Sequence, residues 1–236
     1  MLKRSYNKTE AWIDRNRFQL LLLSTIMLLV LPAFAGKGPL YQLIFVITLS
    51  FLFIQSMVIA KFRKSRKRVV RIIVLLMIIV LWLKPMGVES VYIDFFQLFF
   101  IVFFFAVVIS HLTRFIAKSD SVNVNVLITS INIYLLAGIV GASLTMVCYR
   151  IFPDAYNFPT YITNPDFSHF LYYSFITMST VGYGDITPRI PETQTLAYLL
   201  SVTGQLYVAI IIAFLIGKFL MQGVQKKKEN PDNKRE

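Results

Sequence analysis

The chain has 236 residues, of which 56% are hydrophobic and 15% are charged, and its mean hydropathy is +0.65. Soluble domains carry about a quarter charged residues, so this composition excludes an ordinary soluble enzyme or binding domain. The net charge of +12 does not indicate nucleic-acid binding, because the basic residues lie between hydrophobic segments, and the single cysteine, Cys148, excludes an intrachain disulfide or a thiolate metal cluster.

Six apolar segments predict membrane-spanning helices, because each reaches roughly the 18 residues that a helix needs to cross a bilayer. They comprise residues 18–35, 40–60, 68–86, 91–112, 126–148 and 195–221. Residues 167–178 are also apolar but are too few to cross, which predicts a re-entrant helix that enters the membrane and turns back.

This pattern divides the chain into four regions. Residues 1–17 are a polar N-terminus, 18–125 a four-helix bundle, 126–221 a domain of two spans with the short helix between them, and 222–236 a charged tail too small to fold alone. The predicted fold class is therefore an all-α membrane protein.

The basic residues predict the orientation in the membrane. If both termini are cytoplasmic, only Lys37, Lys84, Arg150 and Arg189 of the 24 lysines and arginines fall on the outer side. Cytoplasmic loops of membrane proteins carry such an excess of Lys and Arg. We therefore expect a multi-pass protein of the cell membrane with both termini inside and the loop after residue 178 outside.

That loop contains Thr-Val-Gly-Tyr-Gly-Asp at residues 180–185. Gly182 and Gly184 alternate with residues that carry side chains, and glycine adopts positive φ without steric cost. A backbone of alternating hand can point successive carbonyl oxygens to one side, and Thr180 adds a hydroxyl in line with them. Four such strands around an axis form oxygen cages that can replace the hydration shell of a cation.

Residues 167–185 resemble the pore loop of the potassium channel family, and the resemblance extends over about residues 126–221. Within that family the chain resembles the channels with six spans and one pore loop, and the resemblance implies a prokaryotic member. It implies a selectivity filter of Thr180, Val181, Gly182, Tyr183 and Gly184, with K⁺ bound at the first four, and Asp185 at the outer mouth. One loop per chain supplies a quarter of a ring, so the resemblance implies a homotetramer with K⁺ as the permeant ion and no cofactor.

Residues around the filter depart in part from the family pattern. Tyr172 and Tyr173 stand where many relatives carry a tryptophan pair, and we expect them to support the filter together with Thr177. Ile176 replaces a glutamate that partners the filter aspartate in some members, which puts glutamate-dependent inactivation in doubt. Gly204 lies 19 residues beyond Asp185 and resembles the family's hinge glycine, which is the interpretation that we favour. The alternative is that the glycine merely allows close helix packing.

The four-helix bundle resembles the layout of a voltage sensor without its charges. Residues 91–112 contain no arginine or lysine, and their one charge is Asp94. One charge moved across the membrane yields only about 2.3 kcal/mol per 100 mV, so we predict a channel that is not steeply voltage-gated. Lipid, tension, protons or constitutive opening all stay open as gating modes.

A basic cluster lies between the second and third segments. It either anchors the chain by the positive-inside rule or binds anionic lipid headgroups that bias gating. Its members are Lys61, Arg63, Lys64, Arg66, Lys67, Arg68 and Arg71.

The sequence therefore predicts passive, potassium-selective conduction rather than enzymatic activity. We find no nucleophile–base arrangement or phosphate-binding loop, and no internal repeat of the kind that secondary transporters carry. The alternatives are a non-selective cation channel, or a non-conducting partner subunit or membrane scaffold that keeps the fold.

Overall fold

The computed structural model describes residues 2–34, 38–59, 64–83, 85–87, 90–119 and 121–229. Within these ranges the chain is almost entirely helical. The helices are α1 (Leu2–Phe34), α2 (Pro39–Ile59), α3 (Lys64–Leu83), α4 (Val91–Lys118), α5 (Val124–Ile151), α6 (Phe167–Met178) and α7 (Pro191–Glu229), and two short strands, β1 (Tyr156–Asn157) and β2 (Thr187–Pro188), pair antiparallel.

Four of the described helices are long and apolar enough to cross a membrane. They are Pro39–Ile59, Tyr92–Lys118, Val124–Ile151 and Pro191–Gln222. They correspond to the second, fourth, fifth and sixth predicted spans, whereas the apolar part of α3 is shorter, at Val70–Leu83, and α1 is not among the four. The short helix α6 has the predicted bounds.

The helices extend further into polar sequence than expected. α1 runs without interruption from Leu2, so the described part of residues 1–17 continues into the first apolar segment instead of forming a separate region. α4 continues to Lys118, which reduces the connector before α5 to a few residues. α7 continues to Glu229 through Gln and Lys residues that favour helix, so the start of the expected tail is helical, and residues 230–236 lie outside the described residues.

The predicted four-helix bundle (α1 to α4) packs against α5, which belongs to the predicted pore half, residues 126–221 of the same chain. Phe53, Phe105 and Leu112 are fully buried in the bundle, and the core continues without a break to Leu136 and Ile139 of α5. Helices α1 and α4 both contact α5. Between helices in a membrane such contacts stabilise through close van der Waals packing, because lipid is as apolar as the side chains.

Polar contacts fix the register of α1 on α5. The Asn132 side-chain amide donates to the Phe18 carbonyl at 3.0 Å, and the Gln19 amide donates to Asn125 Oδ1 at 3.3 Å. Asn132 is fully buried, and a buried amide without its partner is costly. The pairing therefore specifies one alignment of the two helices.

α4 is attached to the pore half at both of its ends. At one end Arg150 Nη2 of α5 lies 3.2 Å from Asp94 Oδ2. At the other end Lys218 Nζ of α7 donates to the Ile116 carbonyl at 3.4 Å and to the Ser119 carbonyl. Cations favour the negative C-terminal end of a helix, so Lys218 caps α4.

Candidate functional site

The short helix α6 is fixed at its start and along one face. The Asp166 carboxylate accepts from the Ser168 N–H at 3.0 Å, and His169 Nδ1 accepts from the Asp166 N–H at 3.2 Å, which completes a capping box. The Ser174 hydroxyl donates to the Gly138 carbonyl at 2.8 Å. A Cβ on Gly138 would lie 2.4 Å from the Phe175 ring, so the glycine permits α6 to seat closely on α5.

The chain turns back at the end of α6. The Ile176 carbonyl accepts from the Val181 N–H at 3.0 Å and from the Gly182 N–H at 3.2 Å, and the Thr177 carbonyl accepts from the Thr180 N–H at 3.1 Å. These hydrogen bonds hold residues 180–182 against the last turn of α6. Thr177 thus contacts Thr180, the first residue of the predicted filter, through its backbone.

Residues 180–184, named the filter segment here after the family resemblance, have positive φ at every second residue. The values are +59° for Thr180, +52° for Gly182 and +79° for Gly184. Gly182 and Gly184 adopt this region freely, but a threonine there is disfavoured by about 1–2 kcal/mol. Such strain persists where the surrounding structure imposes it and is concentrated at functional sites. Alternating hand is the backbone geometry that a row of carbonyl oxygens requires.

The filter segment is exposed on the surface of the single chain. Val181 is 52% exposed and Tyr183 is 73% exposed. Irregular backbone at membrane depth is tolerated only where it lines water or is buried in protein. The segment therefore requires a further protein surface around it or a water-filled path beside it.

The outer end of the filter segment is supported by a tyrosine of α6. The Tyr172 hydroxyl donates to Asp185 Oδ2 at 2.7 Å, and Asp185 Oδ1 accepts from the Ile186 N–H at 3.0 Å. The carboxylate acceptor raises the pKa of Tyr172 to about 12, so the hydroxyl keeps its proton at neutral pH. Tyr172 thus gives Asp185 a partner although Ile176 replaces the family's glutamate.

Tyr173 has a different environment from its neighbour. It is buried, and its ring packs edge-on against Tyr156 at 5.4 Å. Successive helical residues point in different directions around the axis, so only Tyr172 of the pair contacts the end of the filter segment within this chain. Tyr173 instead packs α6 against the loop that carries β1.

The β1–β2 pairing holds this loop to the segment that follows Asp185, and sequence reasoning missed it. The Arg189 N–H donates to the Ala155 carbonyl at 2.8 Å, and the Thr193 hydroxyl donates to the same carbonyl at 3.0 Å. Burial raises the pKa of Tyr156 well above its ordinary value. Strands of two residues have no periodicity to detect, and only the Tyr156 and Thr187 side chains favour strand.

Helix α7 lies directly against the inner end of the site. A Cβ on Gly204 would lie 2.1 Å from the Met178 carbonyl oxygen, so this glycine is required for close approach of the two helices. This contact supports the packing interpretation of Gly204, and the hinge stays a prediction. The next residue, Gln205, donates from Nε2 to Thr180 Oγ1 at 3.1 Å, a contact that sequence reasoning also missed.

The lipid-contact candidates are only partly described. Lys61 and Arg63 lie outside the described residues, as do the side chains of Lys64, Arg66 and Lys67. Arg68 and Arg71 are exposed near the start of α3, and their lipid role stays a prediction.

Comparison with known families places the site within a larger unit. Residues 128–222 match the family model described as "Ion channel", a segment that contains α6, the filter segment and the apolar part of α7. The match supports an ion channel domain. The ion channel domain occupies less than half of the chain and excludes the four-helix bundle. Searches of curated proteins and of solved structures gave no match.

Proposed function

We propose that this chain is one subunit of a homotetrameric potassium channel of the cell membrane, with six spans and both termini cytoplasmic. The observation that carries the proposal is the alternation of positive φ at Thr180, Gly182 and Gly184, within an ion channel domain. The ligands would be the carbonyls of Thr180, Val181, Gly182 and Tyr183 and the hydroxyl of Thr180. Conduction then consists of dehydration, binding at successive sites and exit.

The exposure of the single chain supports a tetramer. Tyr183 and Val181 are exposed and lie in backbone that is neither helix nor strand. In addition, only 11% of an 18-residue apolar stretch of α7 is buried within the chain. Lipid can cover an apolar helix but cannot satisfy exposed irregular backbone. Three further copies around an axis would enclose the filter segment and supply the missing three quarters of each ion cage.

The placement of α6 supports a preference for cations. Its C-terminal end leads directly into the filter segment, and the C-terminal end of a helix carries partial negative charge. Four such ends around the axis would favour a cation below the filter. Asp185, held by Tyr172 at the other end, would concentrate cations at the outer mouth.

The proposed channel lacks steep voltage dependence. Between residues 91 and 112 α4 has no arginine or lysine, and Asp94 is paired with Arg150. We expect a shallow conductance–voltage relation in planar bilayers, and a steep relation without a blocking ion would contradict this part of the proposal.

Ion selectivity in purified protein tests the proposal. The protein is reconstituted alone in liposomes, and the reversal potential is measured with K⁺ on one side and Na⁺ on the other. We expect a value near the K⁺ equilibrium potential. A value near zero would indicate the non-selective cation channel, and the absence of flux would indicate the partner subunit or scaffold.

A further inference from the structure

Gln205 is a polar residue that α7 places beside the innermost ligand of the filter segment. Its Nε2 lies 3.1 Å from Thr180 Oγ1, and the two residues are 25 positions apart in sequence. Neither the filter motif nor the ion channel match assigns it a role. Its hydrogen bond to Thr180 connects α7 to the filter segment through a single pair of side chains.

The hydrogen bonds at Thr180 define what each atom does. Its hydroxyl donates to the Ser179 carbonyl at 2.7 Å. A threonine hydroxyl has one proton and two acceptor lone pairs. Since the proton is committed to Ser179, the hydroxyl can only accept from Gln205, which requires the amide NH₂ group to face it. One lone pair then accepts from Gln205, and the other is available to a cation.

Two backbone features hold this pair in place. Gly204 brings α7 against the Met178 carbonyl, where a Cβ would lie 2.1 Å from the oxygen, and Gln205 is the next residue. Thr180 has φ of +59°, the left-handed conformation that sets the direction of its side chain. The backbone of Gln205 is therefore held in place by the packing of Gly204, and the side chain of Thr180 is oriented by its own backbone conformation.

We propose that Gln205 is a positioning residue for the pore: by donating to Thr180 Oγ1, it fixes the hydroxyl rotamer that presents a lone pair to the innermost cation. The inference rests on the proposed function, because a cation must bind at Thr180. Without the amide donor the hydroxyl can rotate, and the innermost site loses part of its preorganisation. In a fourfold channel the loss is repeated in each subunit.

Block by Ba²⁺ from the cytoplasmic side measures the innermost site directly, since Ba²⁺ is close to K⁺ in size and carries twice the charge. We compare wild type with Gln205→Met, which has similar length and helix propensity but no N–H donor. One hydrogen bond corresponds to a change of about two- to tenfold and four are lost, so block should weaken by at least about tenfold. Gln194→Leu, at an exposed glutamine of the same helix, is the matched control and should leave block unchanged.

A double-mutant cycle separates positioning from a structural role. Thr180→Val removes the hydroxyl, and Gln205→Met should then have no further effect on block. Thr180→Ser keeps the hydroxyl and should keep the sensitivity to Gln205→Met. Coupling between contacting residues of at least about threefold is the expected size. The inference would be overturned if the double variant weakened Ba²⁺ block by the product of the two single effects, which would show that the residues act independently.

The outcomes also distinguish the inference from the proposed function. If the wild type conducts K⁺ and Gln205→Met leaves Ba²⁺ block unchanged, the inference is wrong and the proposed function stands. If the wild type carries no K⁺, both are rejected. Assembly of each variant is checked by size-exclusion chromatography, and Gln205→Asn, one methylene shorter, replaces Gln205→Met if that variant does not assemble. Wild-type block in Gln205→Asn would likewise overturn the inference.

Discussion

At the residue scale, the filter segment depends on side chains that are distant in sequence. Tyr172 supports its outer end through Asp185, Gln205 contacts its inner end through Thr180, and Gly204 lets α7 approach closely enough for that second contact. Each of these residues acts by holding another group in position. Removal of the Tyr172 or Gln205 donor should therefore alter how long and how selectively ions pass more than whether the chain folds.

Tyr172→Phe should destabilise the outer end of the filter. The substitution removes the donor to Asp185 Oδ2 and leaves the ring in place. Hydrogen bonds to charged groups contribute about 1.5–3 kcal/mol, so we expect sustained current to decline about tenfold faster, measured in bilayer recordings. Tyr92→Phe, at an exposed tyrosine of α4, is the control, and equal decline in both variants would contradict this role.

The raised pKa of Tyr172 also predicts the response of this bond to alkali. Because the pKa is raised from 10.0 to about 12, the contribution of the bond is fully present below pH 10 and is lost as the pH rises towards 12. The rate at which the wild-type current declines should therefore stay the same between pH 7 and 10 in bilayer recordings.

Gly204→Ala separates packing from hinge motion. The added methyl would lie 2.1 Å from the Met178 carbonyl oxygen, so the helices must shift, which costs about 1–3 kcal/mol. We expect a lower thermal midpoint by light-scattering or fluorescence assays. Gly217→Ala, where a Cβ meets nothing within 4 Å, should leave it unchanged. A normal midpoint for Gly204→Ala together with altered gating would favour the hinge instead.

At the scale of elements, α4 is the fourth predicted span, where the family resemblance would place a sensor helix, but its contacts attach it to the helices that follow it. The Asp94–Arg150 ion pair and the Lys218 cap attach it to α5 and α7 at opposite ends. A helix that moves along its axis would have to break one contact or both. This arrangement agrees with the lack of arginine and lysine between positions 91 and 112.

Exchanging the charges of Asp94 and Arg150 tests the ion pair that attaches α4 to α5. Asp94→Arg alone places two cations together and should lower the thermal midpoint, as should Arg150→Asp alone. The double variant restores an opposite pair and should recover most of the loss, since residues in contact are not additive. Asp154→Arg, on an exposed turn, controls for the change in net charge. Additive losses in the double variant would show that the pair contributes nothing specific.

Sequence patterns predicted the local elements of the site better than its long-range contacts. The apolar run of α6 and the glycine alternation are local signals, so the bounds of the helix and the positive φ of Gly182 and Gly184 followed from them. Gln205 gave no signal because its partner is 25 residues away. The Lys218 cap gave no local signal for the same reason, since α4 lies about 100 residues before it in the chain.

At the scale of the whole molecule, the proposed tetramer predicts a steep effect of mixed subunits. Gly182 has φ of +52° and open space at its Cβ position, so Gly182→Ala should block conduction without preventing assembly. In equal mixtures with wild type, random assembly into rings of four leaves about one-sixteenth of the tetramers fully wild type. Flux in liposomes should fall accordingly, whereas a fall to about half would indicate independent monomers.

The attachment of each bundle to its own pore half bears on how the protein is made. Both α1 and α4 contact α5 of the same chain, and the short connector after Lys118 keeps α4 beside it. Each subunit can therefore complete its main core during or soon after membrane insertion, without waiting for another copy. We expect association to be a late step that encloses the filter segments, so that newly made single subunits are already compact and resistant to proteolysis in pulse-chase experiments.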